Sequence, residues 1–289
     1  MSERERGLAL AAPAKLNLSL AVVGRRADGL HELVSTFVLL ELADRLRLEP
    51  AWPGETAGLT VIAAPEEEIP TEPRRNLAWQ GLRAGLEGEP AWRLSVEKRI
   101  PAAAGLGGGS SDAAAGWRLG RRRRGAPERP IANDLTDLAR IGADVPFFAA
   151  QVAAAEVRGV GERLTSIAAR REHVLLVLPA FRLSTAAVFA ELTRADWSSS
   201  HEAEGNDLLA PARRLRPELD DLLRQVVAVG GQPQLTGSGP TLFVLDEDPE
   251  RIAAMAERLA SSGLRTLQTR LAGGPASIEP ISEEEAATR

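Results

Sequence analysis

Residues 8 to 23, LALAAPAKLNLSLAVV, alternate apolar and polar positions around Lys15, Asn17 and Ser19, and this period of two predicts a strand. Residues 24 to 29, GRRADG, read as a turn, and β-like hydrophobicity resumes over 33 to 48. The Pro-, Gly- and Glu-rich stretch 50 to 73 predicts strand fragments with loops, and Asn76 to Leu86 predicts a helix. Trp92, Leu94 and Val96 alternate with Arg93, Ser95 and Glu97, a strand that runs into a glycine-rich loop. An Ala-rich helix is expected from Ser110 to about Arg123. The next helix is capped by Asn133 or Asp134 and stopped by Gly142.

The second half opens with a short apolar strand from His173 to Leu178. Helices follow near 185–193, 206–213 and 217–229, then a strand pair at 234–235 and 241–245 around a glycine loop. A helix over 252–260 and a strand over 264–270 close the pattern. This order predicts an α+β fold with antiparallel strands and a domain boundary near 155–172. From Gly273 onward the chain is acidic, carries Pro and Gly, and is read as a disordered tail.

Composition narrows the function. The chain has 289 residues, 44% hydrophobic and 26% charged, which suits one large domain or two ordinary ones. No apolar run approaches the roughly 18 residues of a membrane helix. The charged N-terminus has no signal-peptide core, so a soluble, cytoplasmic protein is expected. With no Cys, disulfides, thiolate catalysis and Cys-ligated metals are excluded. Only His31, His173 and His201 are histidine, which argues against a multi-histidine metal centre. The net charge of −5 disfavours a nucleic-acid binder, and the basic run Arg121 to Arg124 reads as a solvated helix end. Lys15 and Lys98 are the only lysines beside 33 arginines. A site that needs a compact ammonium cannot accept Arg, so both lysines become candidates for chemistry.

The strongest motif is Pro101-Ala102-Ala103-Ala104-Gly105-Leu106-Gly107-Gly108-Gly109-Ser110-Ser111-Asp112. A strand enters it and a helix leaves it. Glycines let bare N–H groups approach a ligand, and the helix N-terminus favours an anion, so the segment reads as a phosphate cradle. It lacks the Gly-Lys-Ser/Thr of a Walker A loop, and Ser110 stands where a dinucleotide fingerprint needs its third glycine. A side chain at Gly108 is expected to block phosphate and to demand a disfavoured φ. Asp144, between Gly142 and Pro146 with Val145, Phe147 and Phe148 beside it, suits a general base acting on an alcohol, or else a loop cap. Lys15 and Asn17 share one face of their strand. His31, delivered by the Asp28-Gly29 turn, can read a polar ring edge. Leu235-Thr236-Gly237-Ser238-Gly239-Pro240 is a second glycine loop, a hairpin turn or a substrate-closing element.

Together the loop, PAKLNL at 13–18, GRRADGLHEL at 24–33, GADVPFF at 142–148 and RGVGERL at 158–164 resemble the GHMP kinases. Within that family they are most similar to the branch acting on 4-diphosphocytidyl-2-C-methyl-D-erythritol, in the non-mevalonate isoprenoid route. The resemblance implies a two-domain α+β fold, with a ribosomal protein S5 domain 2-like N-terminal domain and a ferredoxin-like C-terminal domain. Residues 1–163 would bind ATP, 164–273 would form the second domain, and 274–289 the tail. It implies ATP and Mg²⁺ as cofactors, with metal ligands unassigned. The implied partner is a small cytidyl diphosphate sugar alcohol rather than nucleic acid or membrane, and the implied state is a monomer or homodimer. Lys15 and Asp144 would be catalytic, residues 101 to 111 would hold the phosphates, and Asn76 and Lys98 would lie near the adenine. Asn17, Leu30, His31, Thr185 and Phe189 would face the substrate. The branch commonly has Tyr after Asp-Gly, stacking on cytosine. Here that residue is Leu30 and the chain has no Tyr, which leaves Phe189 as one face of the base site and Leu30 as an apolar contact on the other. The rivals are a homoserine or mevalonate kinase of the same family, against which His31 in its DGLHEL setting argues, and a non-catalytic binding protein on the same fold.

Overall fold

The computed structural model describes residues 7–51, 57–64, 68–198 and 205–282; His201, parts of the 50–73 stretch and tail residues 283–289 lie outside them. Two long strands, β1 (Leu8–Arg25) and β2 (His31–Pro50), pair antiparallel along almost their whole length. Ala14 and Leu16 are fully buried between the two sheets of the molecule, while Lys15 and Asn17 lie on the other face.

β3 (Gly58–Ile62) pairs parallel with β4 (Trp92–Glu97), and β4 joins the far half of β2. α1 (Leu77–Leu86) and α2 (Gly108–Arg124) cover this sheet. α3 (Ala132–Ile141) begins after Ile131, so neither Asn133 nor Asp134 is its cap. Asp134 instead accepts from the Ile131 N–H at 3.0 Å from within the first turn. A short helix, α4 (Val145–Ala149), follows Asp144. The hairpin β5 (Ala154–Gly159) and β6 (Arg163–Ser166) pairs with the near half of β2. The chain therefore stays in the first sheet to Ser166, slightly past the expected division at 163.

The second sheet starts with β7 (His173–Leu178). α5 (Thr185–Glu191), α6 (Leu209–Leu215) and α7 (Glu218–Ala228) precede β8 (Gln234–Leu235) and β9 (Leu242–Asp246). α8 (Pro249–Ser261), capped by Asp248, leads to β10 (Arg265–Arg270). The strand order is β10-β7-β9-β8, antiparallel throughout. Asn206 and Asp207, expected in a helix, are not helical. Asp207 N–H donates to the Leu20 carbonyl at 2.9 Å and Asp207 Oδ2 accepts from Val22 N–H at 2.8 Å, which ties this segment to β1.

The expected disordered tail is corrected over residues 274–282. β11 (Glu279–Pro280) pairs with the start of β1, Ile281 is buried, and Ala276 and Ile278 pack on the β1/α1 core. Its apolar residues were outweighed in the sequence by neighbouring Gly, Pro and Glu. Among the described residues no helix is long and apolar enough to cross a membrane.

α1 and α2 meet backbone to backbone. A Cβ at Gly81 would lie 1.9 Å from the Ala113 carbonyl oxygen, and one at Gly116 would lie 2.3 Å from that of Ala78. This contact is why α2 tolerates glycine in its interior. Gly81→Ala should force the helices apart and destabilise the protein by about 1–3 kcal/mol, the usual cost of overpacking. Thermal unfolding checks this, and an unchanged midpoint would show that the helices can separate freely.

Candidate active site

Lys15 is 4% exposed, so its ammonium is cut off from bulk water and depends on protein partners. Nζ donates to Asn17 Oδ1 at 2.5 Å and lies 3.3 Å from Asp144 Oδ2. It also sits 4.4 Å from the centre of the Phe37 ring, a cation–π contact. Asp144 immediately precedes α4, whose Val145, Phe147 and Phe148 are buried and anchor it. Its carboxylate is 29% exposed, open on the side away from that core. The β5–β6 turn supports Asp144 from behind, where Gly161 passes so close that a Cβ would lie 2.1 Å from the Ala143 carbonyl oxygen.

The glycine loop is fastened directly to this lysine. Lys15 N–H donates to the Leu106 carbonyl at 3.0 Å. Gly107 takes φ +72° and a Cβ there would sit 3.0 Å from both Lys15 Cγ and Phe148 Cζ. Gly105, at φ +76°, lies against the second glycine loop, where a Cβ would be 2.7 Å from the Thr236 carbonyl oxygen. Gly108 corrects the expectation placed on it. It is the first residue of α2, has no left-handed φ, and its Cβ direction points inward at Ile100.

The expected phosphate segment divides between environments. Gly105, Gly107 and Ser110 line a cleft of about 720 Å³ together with Lys15, Asn17 and Asp144. Pro101, Ala102, Ala103 and Ala104 line a separate cavity of about 430 Å³ with Phe181 and Arg182. Leu106 is core, Gly109 faces Leu77, and Ser111 is buried with no partner for its Oγ among the described residues.

Asn76 and Lys98 are held by the protein itself. Asn76 caps α1, its Oδ1 accepting from Ala78 N–H at 2.9 Å and its Nδ2 donating to the Pro70 carbonyl at 2.8 Å. Lys98 Nζ is buried between Asp112, at 2.6 Å, and Asp44. Asp44 Oδ1 also accepts from the backbone N–H groups of Arg99 and Ile100, at 2.6 and 2.8 Å. Burial pushes the Asp112 carboxyl up to about 8, against the pull of Lys98. This group stitches β2, the entry to the loop and the first turns of α2 together.

The residues expected to face the substrate, Leu30, His31, Thr185 and Phe189, line the same cleft. The His31 ring stacks on Phe189, with centroids 5.4 Å apart and planes at 24°, while Leu30 is 53% exposed. Trp197, which sequence reasoning missed, meets His31 edge-on at 5.9 Å. Burial, followed by the charge of Arg25, holds the His31 pKa below its ordinary value, favouring the neutral ring. Thr185 Oγ1 and Ser238 Oγ are hydrogen-bonded at 2.8 Å, so the second glycine loop is part of the cleft. Asn206 Nδ2 pins that loop through the Leu235 and Gly237 carbonyls, each at 2.8 Å.

Gly107→Val should remove nucleotide binding from a folded protein. It places a β-branched side chain at positive φ, against the stem of Lys15. Calorimetric titration with ATP checks this, and unchanged affinity would show that the loop does not approach the phosphates.

Residues 76–151 match the GHMP kinases N terminal domain model and residues 178–264 the GHMP kinases C terminal model. The chain is 38% identical over 288 residues to a 4-diphosphocytidyl-2-C-methyl-D-erythritol kinase of Thermus thermophilus, covering 93% of this chain and 98% of that one. A crystal structure of 4-(cytidine 5'-diphospho)-2C-methyl-D-erythritol kinase superposes with a TM-score of 0.73 at 35% identity, covering 92% of this chain and all of the other. Homoserine kinase from Cytophaga hutchinsonii reaches a TM-score of 0.67 at 14% identity, covering 97% of this chain and 99% of its own, and shares the fold alone. The two-domain GHMP kinase architecture and this level of identity along nearly the whole chain agree: the chain belongs to the 4-diphosphocytidyl-2-C-methyl-D-erythritol kinase family of GHMP kinases.

Proposed function

We propose that the protein transfers the γ-phosphoryl group of ATP to the 2-hydroxyl of 4-diphosphocytidyl-2-C-methyl-D-erythritol, a step in isoprenoid precursor synthesis. The observation that carries the chemistry is the Lys15–Asp144 pair, 3.3 Å apart in a cleft that also holds the glycine loop. Asp144 takes the proton of the attacking hydroxyl. Its exposed side faces the cleft, and its buried neighbours fix its direction. Lys15 offsets the negative charge that gathers around the transferring group, and its ammonium is already desolvated and oriented. The loop from Gly105 to Ser110 and the start of α2 bind phosphate through backbone N–H groups and hydroxyl. Phosphoryl transfer depends mainly on such positioning and electrostatics.

Mg²⁺ fits this donor set as an ion held mainly by phosphate oxygens. Among the described residues there is no cluster of three or more His, Asp or Glu to hold a metal, but Ser110 offers a hydroxyl in the cleft, and the buried Ser111 hydroxyl behind it is unpartnered. Such an ion neutralises phosphate charge and keeps most of its other ligands as water. The His31–Phe189 stack and the Thr185–Ser238 pair support recognition of the cytidyl end and the substrate chain.

An ADP-release assay with the cytidyl substrate, homoserine and mevalonate tests the assignment. Turnover with the cytidyl substrate alone is expected, and turnover with either of the others instead would overturn it. Asp144→Asn keeps the volume and removes the base. It should cost on the order of 10²- to 10⁴-fold in kcat while ATP still binds. Near-normal turnover of the folded variant would exclude Asp144 as the base.

A further inference from the structure

Asn17 meets Lys15 with its carbonyl oxygen, yet a side-chain amide can rotate to present its NH₂ instead. Ser35, on β2 beside it, removes that freedom. Ser35 is 2% exposed, and its hydroxyl donates to the Ser19 carbonyl, which can only accept. That spends the one proton of the hydroxyl, so Ser35 Oγ is left as an acceptor, and it accepts from Asn17 Nδ2 at 2.9 Å. An inverted amide would set Asn17 Oδ1 against an oxygen with no proton to give, and would point the NH₂ at an ammonium. Both encounters are unfavourable in a buried site. The Asn17 backbone is fixed as well, its N–H donating to Thr236 Oγ1 at 3.1 Å.

We propose that Ser35 is a positioning residue for phosphoryl transfer, aiming the Lys15 ammonium at Asp144 through the amide of Asn17. The inference rests on reading Lys15 and Asp144 as the catalytic pair, and it makes Asn17 a support for Lys15 rather than only a substrate contact. The polar line runs from the Ser19 carbonyl through Ser35 Oγ and the two ends of the Asn17 amide to Lys15 Nζ and Asp144. Ser35 Oγ, Asn17 Nδ2 and Lys15 Nζ each have an acceptor in it.

The scarcity of lysine makes the test direct. With only Lys15 and Lys98 in the chain, protein labelled with ¹³C at the lysine ε-carbon gives two side-chain signals, assigned with Lys15→Met. Ser35→Ala should shift the Lys15 signal and leave that of Lys98, the internal check on folding, in place. Ser35→Thr, which keeps the hydroxyl, should restore it. In turnover, Ser35→Ala should lower kcat about tenfold with KM for ATP nearly unchanged. The same change in an Asn17→Leu background should cost nothing further, because its effect passes through Asn17. An unmoved Lys15 signal in Ser35→Ala, or an equal loss of kcat with and without Asn17, would overturn the proposal. If the wild-type protein fails to turn over the cytidyl substrate, the assigned reaction falls, while the two lysine signals still decide the role of Ser35.

Discussion

The site is organised around one costly object, the ammonium of Lys15 held almost entirely out of water. A buried cation without partners is prohibitively unfavourable, so the structure surrounds it with an amide oxygen, a carboxylate and the face of an aromatic ring. Each partner comes from a different part of the chain: Asn17 from β1 itself, Phe37 from β2, Asp144 from the start of α4. The glycine loop adds a backbone hydrogen bond at Lys15 and leaves room at Gly107 for its stem. Satisfying one charge thereby brings the glycine loop, the candidate base and the first sheet into register.

Lys98 solves the same problem with a different outcome. Its ammonium is enclosed by Asp44 and Asp112, and the three groups join the loop entry to α2. A guanidinium is planar and larger than an ammonium, so Arg is not an equivalent replacement in either enclosed setting. Lysine scarcity marked both residues as candidates for chemistry, and both ammoniums are buried beside carboxylates. It did not distinguish an ammonium in the cleft from one inside the scaffold, because that depends on which carboxylates the fold brings near.

The elements that were legible have strong local signals. β1, β4 and β7 show plain alternation or an apolar run, and the glycine loop between strand and helix announces itself by composition. The signals that failed are tertiary. Asn76, read as the first residue of a helix, instead caps that helix from the preceding position through its side chain. The β5–β6 hairpin lay where a domain boundary was expected, and its Gly161 makes sense only against the Ala143 carbonyl. Residues 274–282 have too few apolar side chains to stand alone, yet they complete an edge of β1. Ser35 carries no motif at all, since its importance comes from a cross-strand neighbour 18 positions away.

The claim that a compact, desolvated ammonium drives the chemistry is tested most directly by Lys15→Arg, which keeps the charge and changes its shape. Single-turnover phosphoryl transfer, with ATP affinity measured alongside, separates chemistry from binding. The account predicts a folded, ATP-binding variant slowed on the order of 10²- to 10³-fold, the scale of a lost transition-state electrostatic contact. Transfer at the wild-type rate would contradict it, because any cation at that position would then suffice.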